Sequence, residues 1–113
     1  LYNADVAARG KPPAAAWIIE LIAAADVLVP ACPEYNYSIS PALKNVIDRV
    51  SREAENSALG GKPVAILGVT GGMASSPGQY HLRQVCVAVN LYPLNSRIYS
   101  PTPSATVSTR AAI

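Results

Sequence analysis

Charge is scarce in this chain: only 14% of its 113 residues are Asp, Glu, Lys or Arg. Nine basic residues against seven acidic ones leave a net charge of +2. So mild and scattered an excess argues against a nucleic-acid partner or an anionic membrane surface. Histidine occurs once, which makes a zinc site of ordinary His/Cys composition improbable. The two cysteines, Cys32 and Cys86, lie far apart and belong to no CxxC motif. They read as buried thiols of a reducing compartment. No apolar run approaches the roughly 18 residues that a membrane span needs. No signal peptide and no internal repeat are visible. These absences predict a soluble cytoplasmic protein with no metal, no nucleic acid and no membrane partner. What is present is apolar: 50% of the residues, enough for the core of one small domain.

Several catalytic motifs are also missing. Gly60–Pro63, "GGKP", resembles the end of a P-loop, but that motif needs a glycine five residues earlier and Ser or Thr after the lysine. Asn56 and Pro63 hold those places, so the stretch reads as a turn before a strand. There is no GxSxG elbow. Nothing in the spacing pairs Ser38 or Ser40 with His81, which reads as a helix-surface residue. Glu34 and Asp48 are too differently placed for a carboxylate pair.

Leu1–Gly10 shows no periodicity and reads as a loop. A helix opens at Lys11-Pro12-Pro13, proline being tolerated in a first turn. Ile18, Leu21, Ile22 and Ala25 form its apolar stripe. Val27-Leu28-Val29 predicts a buried parallel strand. Ser40-Pro41 is an N-cap followed by proline at the first helical position, and Leu43, Val46, Ile47 and Val50 repeat the helical spacing. Leu59-Gly60-Gly61 is a turn, and Val64–Val69 a second apolar strand. A third helix buries Leu82, Val85, Cys86 and Val89. A last strand is expected around Arg97-Ile98-Tyr99, within 91–99, and residues 100–113 read as an irregular tail. Alternating helices and strands predict an α/β fold with a parallel sheet.

Ligands of open α/β sheets bind at the carboxyl ends of the strands. Two loops leave such ends here, "CPEYNYSIS" (32–40) and "TGGMASSPG" (70–78). One is aromatic and rich in hydrogen-bonding groups. The other is glycine-rich, so a flat ligand can approach its backbone. A planar heteroaromatic ring suits the pair. The alternative is that Tyr35 and Tyr37 cover a sheet edge and Gly71-Gly72 form a plain turn.

"PEYNYSISPALKNVIDRVSR" resembles the signature of the NADPH-dependent FMN reductases, a flavodoxin-like family that includes quinone, chromate and azo-dye reductases. "GKPVAILGVTGGM", "QYHLRQV" and "LYNADV" resemble further segments of that family in the right order, from Leu1 to about Leu94. The resemblance implies a flavodoxin-like, doubly wound, three-layer parallel sheet. Its flavin ring would lie near Pro33, Glu34, Tyr35 and Asn36, with Tyr37 and Ser38 continuing the wall and Thr70, Gly71 and Gly72 opposite. It implies FMN as cofactor, NAD(P)H as co-substrate, and a quinone, flavin, azo dye or metal ion as small-molecule acceptor. It implies a homodimer or homotetramer, with Tyr80 and Arg83 near the subunit boundary.

The chain departs from that family in three places. In a 2-1-3-4-5 sheet the three expected strands match 3, 4 and 5. Strand 1, the phosphate loop, the first helix and strand 2 would lie upstream of Leu1. Residues 1–99 are therefore expected to form a partial FMN-binding domain, with exposed edges that favour self-association. Pro30 falls inside a strand and is easier to place if that strand is an edge. "MASSPG" and the tail "SPTPSATVSTRAAI" differ from the family's glycine- and arginine-bearing loop and its last helix. The other reading is a non-catalytic flavodoxin-like fragment that acts only in oligomerisation or binding. A flavodoxin-type electron carrier fits less well, because such carriers are strongly acidic.

Overall fold

The computed structural model describes residues 1–52, 57–68 and 75–95. The expected strand at Arg97–Tyr99 and the tail at 100–113 lie outside them, as does Val69 at the end of the second expected strand.

The N-terminal stretch is not all loop. A short helix, α1, runs Ala4–Ala8, with Asn3 as N-cap. The Asn3 side-chain oxygen accepts from the Val6 N–H at 3.1 Å, taking one of the donors a helix start leaves unpaired. A single turn is too short for an apolar period, so no stripe announces it.

Helix α2 runs Pro13–Ala24. Ala15 is buried, and Ile19 and Ile22 pack on the core, whereas Leu21 is exposed. The inner stripe is 15, 19 and 22 rather than one led by 18, 21, 22 and 25. This helix is apolar almost all round, so the period was visible but the phase was not. Lys62 closes its far end, donating from Nζ to the carbonyls of Ala23 at 3.1 Å and Ala25 at 2.6 Å. A cation there satisfies late carbonyls and opposes the negative end of the helix dipole. Helix α3, Pro41–Val50, begins as expected: the Ser40 hydroxyl accepts from Leu43 N–H at 3.2 Å, with Pro41 at the first position. Ile47 and Val50 are buried, and Leu43 and Val46 pack beside them.

Three extended segments lie side by side and parallel. Strand β3 (Pro63–Val64) pairs with strand β4 (Tyr92–Pro93). On its other side, residues 28–32 bond to 63–67 through bridges Leu28↔Val64 and Ala31↔Leu67. Among the described residues, β4 at 92–93 falls within the expected 91–99 window and enters directly after a turn at Asn90 with φ 56°.

The first segment is neither a regular strand nor buried throughout. Leu28 packs on the core, while Val27 and Val29 on the opposite face are exposed. Pro30 is the cause of the irregularity. Leu28 donates to Pro63 O and accepts from Ala65 N–H; Pro30 O accepts from Leu67 N–H, and Cys32 donates to Leu67 O. In that parallel pattern the next donor toward Ala65 O belongs to residue 30, and proline has none. The missing rung thus faces the 63–67 neighbour. Pro30 does not sit with its nitrogen toward an open edge, as an edge strand would allow.

Helix α4, Ser76–Ala88, covers the sheet with Leu82 and Cys86 fully buried and Val85 and Val89 alongside. The core is Cys32, Ile47, Val50, Leu59, Val64, Leu82, Cys86 and Leu91. No helix among the described residues is long and apolar enough to cross a membrane, and no cluster of metal-ligating side chains occurs among them.

Candidate functional site

The carboxyl ends of 28–32 and 63–67 are neighbours, because Cys32 N–H donates to Leu67 O at 2.7 Å. The two segments leaving these ends therefore start from one place on the sheet. After Cys32 comes a hairpin rather than a loop. Strand β1 (Glu34–Tyr35) pairs antiparallel with β2 (Ser38–Ile39), in register Glu34↔Ile39 and Tyr35↔Ser38. Asn36 and Tyr37 form the two-residue turn, both left-handed at φ 48° and 65°. Two positive φ values mark the turn type whose twist matches paired strands. Asparagine tolerates that region; tyrosine does so at a cost of roughly 1–2 kcal/mol. The turn leaves Tyr35 57% and Tyr37 66% exposed, with Asn36 also exposed between them.

After Leu67 the chain reaches Gly68, which is buried. A methyl group here would overlap the Ser75 hydroxyl and come within 2.7 Å of Gln79 Nε2. Ser75 and Gln79 are themselves buried, and Gln79 Nε2 donates to Ser75 Oγ at 3.0 Å. Ser75 turns the chain into α4 with φ 54°. The glycine thus lets the second strand pass directly over the polar start of α4.

The hairpin is tied to the same helix start. Glu34 Oε2 accepts from the Gly78 N–H at 3.1 Å, in the first turn of α4. Ser38 Oγ and His81 Nδ1 share a hydrogen bond at 3.1 Å. Spacing gave no reason to join Ser38 and His81; the fold does so by laying β2 along α4. His81 is exposed, as expected for the helix surface, and nothing among the described residues orients its other ring nitrogen. That differs from a nucleophile–base–orienter chain.

Of the residues singled out in the sequence, Pro33, Glu34, Tyr35, Asn36, Tyr37 and Ser38 are brought together at this end of the sheet. Thr70, Gly71 and Gly72 lie outside the described residues. Gly68 and Gln79 were missed, and Ser75 and Gly78 lay within the expected 70–78 loop without being singled out. Gly78 carried a signal, since a glycine inside a helical turn marks a close approach. Its hypothetical Cβ would stand 3.0 Å from the Ser38 carbonyl. Of the two residues expected near a subunit boundary, Tyr80 is exposed, while Arg83 donates within the chain to Leu94 O at 3.0 Å.

Both thiols are buried, Cys32 at the strand end that leads into the hairpin and Cys86 on α4. Burial raises the pKa of each; Glu34 pushes Cys32 further in the same direction, whereas Arg83 partly offsets the rise at Cys86. Folding therefore favours the protonated thiols, and their contribution is intact below the unfolded pKa of 9.0. Above it the unfolded chain loses protons that the folded chain keeps, so stability falls by about 1.4 kcal/mol per pH unit per thiol until the folded groups titrate. Native protein at pH 7 should react with a thiol-specific disulfide reagent only as fast as it unfolds. Denaturation midpoints should drop steadily above pH 9 and level off there in a Cys32→Ala/Cys86→Ala variant.

A family model described as NADPH-dependent FMN reductase matches residues 1–102. An NAD(P)H-dependent FMN reductase of Pseudomonas aeruginosa is 51% identical over 96 residues, covering 84% of this chain and 51% of that protein. A quinone reductase of Escherichia coli K12 is 43% identical over 100 residues, covering 84% and 51%. Among solved structures, a flavoenzyme NAD(P)H:(acceptor) oxidoreductase from Paracoccus denitrificans superposes with a TM-score of 0.78 at 27% identity, over 88% of this chain and 54% of that one. The chain spans about half the length of the curated relatives it matches.

Proposed function

The chain belongs to the NADPH-dependent FMN reductase family, and from that membership we propose that it forms the ring-binding part of an FMN-dependent NAD(P)H oxidoreductase with a small-molecule acceptor. One observation carries the reading: two adjacent parallel strands end together, at Cys32 and Leu67, and the first leads into a hairpin that presents two tyrosines. Strand ends of this kind are where α/β sheets hold flat ligands.

The residues present fit such a ring. Tyr35 and Tyr37 offer exposed aromatic surface, which stacks on a π system. Asn36 adds an exposed amide and Pro33 a rigid shoulder. Thr70, Gly71 and Gly72 would form the opposite wall, where absent side chains let backbone N–H groups reach ring carbonyls and nitrogens. Glu34 and Ser38 border the ring while held to α4. When bound, FMN supplies the redox chemistry, accepting a hydride from NAD(P)H and returning electrons to the acceptor. The protein's part is to bind, orient and exclude water, and oriented N–H groups stabilise negative charge on the ring system. No side chain need act as base or nucleophile.

Quinone is the acceptor class supported by the named relatives; a free flavin, an azo dye or a metal ion belongs to the same reading. In this reading residues 1–99 correspond to the part of a flavodoxin-like sheet holding strands 3, 4 and 5, and 100–113 are a tail. A cytoplasmic homodimer or homotetramer, with Tyr80 and Arg83 at its boundary, belongs to the same reading, supported by two free buried thiols and an exposed Tyr80.

The test is the visible spectrum of the intact protein together with NAD(P)H oxidation. Bound flavin, or uptake of added FMN to one per chain, with quinone-dependent NAD(P)H consumption, is the expected result. No flavin bound and none taken up from added FMN would overturn the reading.

A further inference from the structure

Helix α2 holds a single charged residue, Glu20, and its apolar residues do not stop at the core. Ala15, Ile19 and Ile22 face inward. A second side presents Ala14, Trp17, Leu21 and Ala24, all exposed, with Trp17 at 61% and Leu21 at 47%. Their spacing of three, four and three residues sets them in one seam along the helix. A helix that is apolar on two sides is built to pack on two sides. Beside the seam, a groove of about 360 Å3 runs between α2 and α3, its lining including Ala14, Trp17, Ile18, Asn45 and Val46.

We propose that this seam docks a second copy of the chain, with the two α2 helices antiparallel about a twofold axis near Trp17. Charge selects both the occupant and its orientation. Arg9 and Lys11 stand just before α2, Glu20 lies in its second half, and Asp26 follows its end. Neither Glu20 nor Asp26 makes an ion pair among the described residues. Lys62, at the same end, is held on the carbonyls of Ala23 and Ala25. An antiparallel copy brings the acidic end of one helix to the basic end of the other, twice over, and opposes the two helix dipoles. A parallel copy would set like charges side by side. With Ala14 facing the partner's Leu21, a leucine side chain meets the groove beside Ala14, and the two Trp17 rings flank the axis. One helix pair covers less than a standard interface, so the association is weak and depends on concentration. This surface is separate from the α4 boundary of Tyr80 and Arg83, and two distinct twofold faces turn a dimer into a tetramer. The inference does not depend on FMN.

The test uses the single tryptophan of the chain, Trp17. Sedimentation and tryptophan emission are followed together in the intact protein from about 1 to 100 μM, the range of a small interface. Mass should double and emission should shift to the blue over the same concentrations, as the exposed indole becomes buried. Leu21→Glu should abolish the doubling while melting within about 3 °C of wild type, because the position is half exposed. Asp26→Lys should weaken association by about three- to tenfold. Lys11→Glu added to Asp26→Lys should restore most of it, which damage to local folding would not do. A wild-type mass that neither rises with concentration nor falls in Leu21→Glu overturns the proposal. So does a doubling with unchanged Trp17 emission, or one that survives Leu21→Glu but not Tyr80→Glu, since the copies then meet through α4. Absence of rescue in the double variant overturns the antiparallel pairing.

Discussion

Gly68→Ala should lower stability by roughly 3 kcal/mol, the upper range for forcing extra volume into a packed interior. For a chain of this size that corresponds to a melting temperature ~10–15 °C lower. The effect is steric and local. The added methyl overlaps the Ser75 hydroxyl and crowds Gln79 Nε2 at 2.7 Å. Neither can retreat cheaply, because both are buried and they hydrogen-bond one another. Moving Ser75 also moves the left-handed residue that starts α4. FMN uptake should fall along with stability, since Gly68 stands at the head of the glycine stretch. A second substitution, Ser75→Gly, removes the overlapping hydroxyl and should recover part of the loss in the Gly68→Ala background. Thermal denaturation of the four proteins of this cycle measures the coupling. A Gly68→Ala protein that melts with wild type would show that the strand and the helix start do not approach this closely.

Replacing Tyr37 with glycine should separate stability from binding. Tyr37 pays for a left-handed backbone at φ 65°, and glycine adopts that conformation without steric penalty. The folded state should be at least as stable as wild type, with a gain of up to about 1 kcal/mol after the extra entropy of an unfolded glycine is subtracted. The aromatic surface, 66% exposed, is lost at the same time. Stacking of a side chain on a heteroaromatic ring is worth about 1–3 kcal/mol, so FMN should bind roughly 10- to 100-fold more weakly. Tyr35→Ala should weaken FMN similarly, without any stability gain. Titration with FMN and denaturant melts on the same samples check both halves. A Tyr37→Gly protein that binds FMN as tightly as wild type would remove this tyrosine from the ring wall. Backbone strain clusters at binding and catalytic sites, which is the reason for testing Tyr37 first among the two tyrosines.

The elements a sequence exposes well are those whose signal is periodic and one-sided. Helix α3 was legible down to its cap, because Ser40-Pro41 and the 43, 46, 47, 50 stripe agree with each other. Helix α4 was legible in its 82, 85, 86 and 89 stripe but not at its start, which lies at Ser76, inside the stretch 70–78 expected to be a loop, and carries no side-chain cap. Helix α2 was not, since alanines and isoleucines surround it and only packing against α3 selects 15, 19 and 22. The hairpin at 34–39 was hidden because its turn, Asn36-Tyr37, lacks the glycine that usually announces two left-handed residues. The grouping of Pro33 to Ser38 at a strand end came from reading an α/β order. The Glu34–Gly78 and Ser38–His81 bonds could not be read, because each spans more than forty residues and depends on how the hairpin lies on α4. Pro30 was visible as an anomaly, but its direction was not, since which neighbour a missing donor faces depends on register.

That direction makes Pro30 a mechanical joint. The rungs on either side of it, Leu28 with 63 and 65 and the pair 30–32 with 67, are joined only through covalent chain and side-chain packing. Cooperative opening of a ladder spreads from rung to neighbouring rung, and here it meets a gap. The portion nearest the hairpin can therefore shift or breathe without unzipping the portion anchored under Leu28 and Val64. Compliance of this kind would let this end of the sheet move while the core keeps its protection, and it comes from one backbone N–H replaced by the proline ring.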